Sequence, residues 1–293
     1  VDGERVLAEA SEAYRAALGE RLLAAYALGS LAHGGFSELV SDVDLGLILS
    51  DPLQRADMET IQAVADAEKS KGSPLHQRLS VFWGTPATLG GEQEGGRFPA
   101  LDRLDLIENG RLLFGRDDAR RGLPVPATRE LLVTGADFAL AYLAGLPRPG
   151  SEPGARLGSM QPAAGNAVEE VRSPDMLLRH GIRQTTKLVL FPVRFLYTAA
   201  TGRVGTNHAA AAWYSGDGQA PGTELVAAAV AWRAAPPQDQ VLASGLLREH
   251  LLPLYLYYID DHIKRLASIG ETRLAEGFRE WRVRLTRPPG VVP

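Results

Sequence analysis

The chain has 293 residues, no cysteine and a formal net charge of −4. Its 45% hydrophobic and 23% charged content exclude a disordered or collagen-like chain. Its length suits two domains or one large one. Without cysteine there is no disulfide framework, thiolate nucleophile or Cys-ligated metal centre. That fits a reducing compartment, so the chain reads as cytoplasmic. The acidic balance argues against a broad basic face for duplex nucleic acid, whereas a small anionic ligand needs only a few local cations. No apolar stretch reaches the roughly 18 residues of a membrane span. The opening residues are charged and amphipathic, unlike a signal peptide.

Residues 4–25 predict a helix, because Val6, Leu7, Ala10, Tyr14, Ala17 and Leu18 recur at helical spacing. Tyr26–Leu28 predicts a buried strand running into a tight turn at Gly29–Ser30. Asp42–Leu49 predicts a second strand, Asp57–Lys69 a helix and Leu75–Trp83 a third strand that Pro86 ends. Leu101–Phe114 reads as a helix, with Asp102 and Asp105 near its start and Arg111 near its end, as the helix dipole prefers. From about residue 128 the pattern is helical. The segments are Glu130–Leu146, Asp175–Thr201, Ala209–Tyr214, Glu224–Arg233 and Gln238–Ile269. Pro192 and Pro253 are expected to kink or divide two of them. Pro147–Pro162 is Pro- and Gly-rich and reads as a loop, and the Pro-rich tail from Arg287 as a fraying end. The result is an α+β chain: a mixed strand–helix domain over 1–125, then an all-α domain over 126–293.

The segment Leu28–Leu49, LGSLAHGGFSELVSDVDLGLIL, carries the chemistry. Gly29 allows a tight turn and a close backbone approach to a ligand. Ser30 offers a hydroxyl and an N–H to a phosphate oxygen. Residues i and i+2 of a strand share a face, so Asp42 and Asp44 project together. Two carboxylates on one face call for a cation, and a hard divalent ion such as Mg²⁺ is the natural partner. A phosphate cradle beside a metal site describes nucleotidyl transfer.

This segment resembles the nucleotidyltransferase superfamily related to DNA polymerase β, whose signature is a Gly-Ser followed some ten residues later by D-x-D. More narrowly, GSLAHGGFSELVSDVDL is similar to aminoglycoside adenylyltransferases of the streptomycin/spectinomycin type. Arg194–Trp213, RFLYTAATGRVGTNHAAAAW, resembles a pattern in the helical C-terminal domain of that group. Leu106–Arg116, LIENGRLLFGR, resembles the segment that closes its catalytic domain. The resemblance spans residues 20–235 in patches. It implies a nucleotidyltransferase domain followed by a helical bundle, with the active site between them. It also implies an Mg²⁺-dependent enzyme that moves AMP from ATP to a small-molecule hydroxyl. Asp42 and Asp44 would hold Mg²⁺, Gly29 and Ser30 would bind the nucleotide phosphates, and Arg194 would reach the triphosphate. Lys187, two helical turns before Arg194, is a candidate second phosphate cation.

Three positions depart from the family. Its third carboxylate, a candidate general base, belongs on a later strand; the matching stretch HQRLSVFW has no acid. His76 is the candidate substitute, with an ordinary pKa near ~6.5. Asn207 stands where the family has a lysine, and Gln184 where it has a pocket aspartate. Glu169, Glu170 and Asp175 could replace that acid, but read better as solvated loop or cap residues. Asp260-Asp261-His262 cannot converge on one ion, since neighbours on a helix diverge by about 100°; it reads as a solvated face. Two alternatives stay open. One is a nucleotide-binding protein without transfer activity. The other is a toxin–antitoxin type nucleotidyltransferase acting on a protein hydroxyl.

Overall fold

The computed structural model describes residues 2–146 and 167–287. The expected Pro147–Pro162 loop lies outside them, as does the tail beyond Arg287. The chain divides into two compact units after Pro126.

In the first unit, α1 (Gly3–Leu18) leads through a 3₁₀ turn into β1 (Leu22–Leu28) and the short α2 (Gly29–His33). Then come β2 (Val43–Leu49), α3 (Arg55–Ser70), α4 (Pro74–Gln77), β3 (Leu79–Gly84) and α5 (Pro86–Gly90). The unit closes with α6 (Ala100–Asn109), β4 (Arg111–Gly115) and α7 (Asp118–Arg121). The four strands form one mixed sheet in the order β3-β2-β1-β4. β1 runs antiparallel to β2 and β4, and β2 runs parallel to β3.

Side-chain alternation divides the sheet into two faces. Ala25, Ala27, Val43, Leu45, Leu47, Leu79 and Val81 pack with Val6, Leu7, Ala10 and Tyr14 of α1 and Ile61 of α3. On the other face, Ala24, Tyr26, Leu28, Ile48 and Phe82 pack with Leu106 of α6. Each face is covered by apolar helix stripes, so β1, β2 and β3 are largely buried on both sides, while the edge strand β4 stays partly exposed.

Three sequence expectations change here. The first helix ends at Leu18 rather than 25, because Gly19 takes φ +53° and turns the chain, so β1 begins at Leu22. The expected strand Leu75–Trp83 opens as a helix. The Ser73 side chain caps it by accepting the His76 N–H, and Pro74 fits its first turn. His76 therefore lies on α4, not on a strand. The expected helix Leu101–Phe114 stops at Asn109, and Arg111–Gly115 forms β4.

The second unit is helical: α8 (Thr128–Tyr142), α9 (Ala167–Arg172), a 3₁₀ segment Pro174–His180, and α10 (Ile182–Thr201). These are followed by α11 (Asn207–Ser215), α12 (Thr223–Trp232), α13 (Gln240–Ser268) and α14 (Thr272–Thr286). Pro192 and Pro253 lie inside α10 and α13 without dividing them. The core joins Leu188, Val189 and Val193 of α10 to Leu251, Tyr255 and Tyr258 of α13 and Phe278 and Trp281 of α14. The buried Tyr255 hydroxyl donates to Leu188 O at 2.9 Å, which ties α13 to α10. Among the described residues no helix is long and apolar enough to cross a membrane.

Candidate active site

Strand pairing assembles the site in the first unit. Leu28, the last residue of β1, pairs with Asp44 on β2, so the Gly29–Ser30 turn emerges directly beside the carboxylate. Gly29 has φ +59°, and a Cβ there would overlap Asp44 Oδ2. Only glycine lets the backbone pass so close to this acid. Asp42 precedes the strand and Asp44 lies within it. Between them, Val43 is buried against α1 and α3. By alternation both acids belong to the opposite face, the one that α6 covers.

Two side chains that sequence reasoning did not find meet this corner. Asp105 of α6, only 7% exposed, accepts the Gly29 N–H at Oδ2 (2.6 Å) and the Asn109 side-chain amide at Oδ1 (2.8 Å). Arg97 lies close enough to Asp44 and Asp102 to feel both charges. Burial holds its guanidinium below the ordinary arginine range, and those two acids oppose the shift. Its Nη1 donates to Val81 O at 3.1 Å, and its backbone bridges Trp83. Neither residue carries a local motif. The available signals were a glycine pair, Gly95–Gly96, before Arg97, and the i,i+3 spacing of Asp102 and Asp105 on one helix face.

Ser80 lies beside Asp44 in the parallel β2–β3 register and is buried. It belongs to the stretch HQRLSVFW, where a third acid was sought. Arg78 is a loop clamp: its guanidinium donates to the carbonyls of Glu38, Leu39 and Ser41, just before Asp42.

His76 is placed differently. Its Nδ1 is 2.7 Å from Ser73 Oγ and its Nε2 3.2 Å from Glu9 Oε2. Glu68 Oε2 is 4.0 Å from the same Nε2, and the three donor atoms lie within 4.8 Å of one another, a spacing that could hold a metal ion. The Lys71 ammonium already meets both carboxylates, at 2.8 Å from Glu68 and 3.4 Å from Glu9. It joins His76 in holding Glu9 below the ordinary carboxylate range. This cluster belongs to α1, α3 and α4, which pack on the sheet face opposite Asp44. The hard-donor pair Asp42 and Asp44 is the set that suits Mg²⁺.

In the second unit, Lys187 and Arg194 flank the Phe191 ring on α10. Lys187 Nζ is 6.0 Å and Arg194 Cζ 5.7 Å from its centroid, so the two cations share one stripe. Arg194 Nε also donates to Gly205 O at 2.5 Å, which fixes its stem. Glu170 departs from expectation. It is buried and accepts the Gln184 amide at 3.2 Å, and His180 Nδ1 lies 2.8 Å from it. An acid therefore stands beside the Gln184 position after all, supplied by α9. Glu169 and Asp175 are exposed as expected.

Asp260 points away to Arg282, but Asp261 and His262 meet, with His262 Nδ1 3.3 Å from Asp261 Oδ2, and His262 is not solvated. Asp260 pairs with Arg282 at 2.7 Å and Asp261 with Arg265 at 2.8 Å. His262 is 1% exposed and stacks on Phe278.

No protein-family model matches the chain, and no curated protein matches it. Among solved structures the chain matches a spectinomycin adenyltransferase, AAD(9), from Enterococcus faecialis, determined with ATP and spectinomycin. The TM-score is 0.52 at 12% identity, covering 97% of this chain and 99% of that one. The chain thus shares the fold of that spectinomycin adenyltransferase.

Proposed function

We propose that the chain is an Mg²⁺-dependent nucleotidyltransferase that moves AMP from ATP to a hydroxyl of a small molecule. The observation that carries this reading is the β1–β2 register, which sets the Gly29–Ser30 turn against Asp44. In this reading Asp42 and Asp44 hold Mg²⁺, which when bound would neutralise charge on the transferring phosphoryl group and the leaving pyrophosphate. The Ser30 hydroxyl and N–H bind a phosphate oxygen. Arg194 and Lys187 contribute the positive charge of α10 to the triphosphate. Arg97 offsets part of the Asp44 charge and thereby limits repulsion of an incoming polyanion.

His76 is left out of the chemistry, because both ring nitrogens have partners in the Glu9–Ser73 network. The acceptor in this reading is a hydroxylated small molecule. The test is pyrophosphate release from Mg·ATP over a panel of acceptors that includes spectinomycin and streptomycin. Asp42→Ala and Asp44→Ala should each abolish release; release that survives both changes overturns the reading.

One observation favours a second reading, nucleotide binding without transfer. Ser80 stands beside Asp44 and has no basic group to take the acceptor proton. That reading predicts ATP binding by calorimetry with no pyrophosphate from any acceptor.

A further inference from the structure

The Gly29 backbone meets two acids at once. A Cβ on it would overlap Asp44 Oδ2, and its N–H donates to Asp105 Oδ2 at 2.6 Å. The second contact is short, as expected when the acceptor is ionised. The other Asp105 oxygen is occupied by Asn109, one turn along the same helix, so the carboxylate is fixed in orientation. Two carboxylates beside one glycine place like charges near each other, an arrangement that a mere cap does not need. Capping one N–H does not require a second charge there, since a neutral amide oxygen would serve. An ionised acceptor does make the stronger bond, and this bond sets the plane of the Leu28–Gly29 peptide. That plane in turn determines where Ser30 presents its hydroxyl and N–H.

We infer that Asp105 is the positioning residue of the Gly29–Ser30 turn. It holds the turn over Asp44 and keeps the Gly29 N–H for itself, so phosphate recognition begins at Ser30. Gly29 then contributes through its conformation alone. This inference deepens the proposed function and rests on the reading that the turn faces the nucleotide.

The experiment compares Asp105→Ala and Asp105→Asn in the full chain. Calorimetry with Mg²⁺ and a non-hydrolysable ATP analogue gives affinity per folded molecule, and ¹⁵N–¹H spectra follow the Gly29 amide. Asp105→Ala should weaken analogue binding about tenfold, the loss of one charge-assisted bond. Asp105→Asn keeps an acceptor oxygen and should remain within about threefold of the parent. The Gly29 amide proton should move upfield in the alanine variant and much less in the asparagine variant.

If the carboxylate merely repels phosphate, both variants bind more tightly; if it merely supports the fold, both lose stability with unchanged affinity. Either result overturns the inference. If the alanine variant fails to fold, the asparagine variant decides: tighter binding, or loss of the downfield Gly29 resonance, overturns it. Failure of the parent to bind nucleotide would defeat the functional reading instead. The Gly29 resonance would then still decide whether Asp105 holds the turn, and an unchanged shift in the alanine variant would refute it.

Discussion

Gly29 and Gly34 make a controlled pair. Both have positive φ, +59° and +90°, where an L side chain is strained. At Gly34 an added Cβ would meet nothing within 4 Å, whereas at Gly29 it would overlap Asp44. Gly34→Ala should therefore cost only backbone strain, about 1 kcal/mol by urea denaturation. Gly29→Ala adds a clash that must move either the turn or Asp44. It should cost about 3 kcal/mol and remove nucleotide binding, measured on the same samples. Arg194 makes a different point. Its Nε is engaged with Gly205, so its charge sits on a fixed stem. Arg194→Lys keeps the charge but cannot reproduce that fork, and should weaken nucleotide binding by about tenfold. At this scale the sequence was legible where the candidate site is local. Gly29, Ser30, Asp42 and Asp44 lie within one short stretch, and their residue types announce their chemistry. Asp105 and Arg97 reach the same corner through tertiary folding, and the local signals near them, a glycine pair and an i,i+3 acid spacing, do not say where they dock.

At the scale of elements, periodicity found those with a long apolar stripe, namely α1, β2, α3 and α10. It failed where an apolar run was short. LIENGRLLFG continues a helical pattern through Gly110, and only pairing with β1 makes Arg111–Gly115 a strand. The opposite error occurred at His76, where strand-like alternation lost to the Ser73 cap and Pro74. That signal stood in the sequence as a Ser-Pro pair before the run. The join between β1 and α3 rests on Arg21. Its guanidinium grips Asp57 through two nitrogens, at 3.0 and 2.7 Å, and also reaches Ser50 and Pro52 O. Asp57 is 4% exposed and closes the capping box of α3, and the Arg21 bond holds its carboxyl below the usual aspartate range. Arg21→Ala leaves that buried charge without its cation and should destabilise the chain by about 2 kcal/mol in urea. Asp57→Asn should cost less, because it removes the charge along with the pair.

For the molecule as a whole, the two units should answer acid differently. In the helical unit, burial holds the His262 imidazole below its ordinary value of 6.5, although Asp261 pulls the other way. The unfolded chain then binds a proton that the folded chain refuses. Stability is complete above about pH 6.5 and falls as pH drops below it, by up to ~1.4 kcal/mol per unit. In the sheet unit the lowered groups are carboxylates, Asp57 and Glu9 among them, whose contributions hold until pH nears their unperturbed values of 3.8 and 4.5. Trp213, Trp232 and Trp281 belong to the helical unit and Trp83 to the other. Fluorescence-detected urea midpoints of Trp83→Phe should therefore drop between pH 7.5 and 5.5. His262→Phe, which preserves the stack on Phe278, should flatten that drop; a midpoint equally sensitive with phenylalanine there would refute the assignment. The strand order has a kinetic consequence as well. β1 reaches β2 across residues 29–42, but reaches β4 only across residues 29–110. Closing the longer loop costs about 1.6 kcal/mol more chain entropy. The β1–β2 pair that seats the Gly29–Ser30 turn beside Asp44 can therefore form early, with β4 docking last. Leu113→Ala should then speed unfolding while leaving the refolding rate nearly unchanged. On that order of events, the corner that forms the candidate site is in place before the sheet around it is complete.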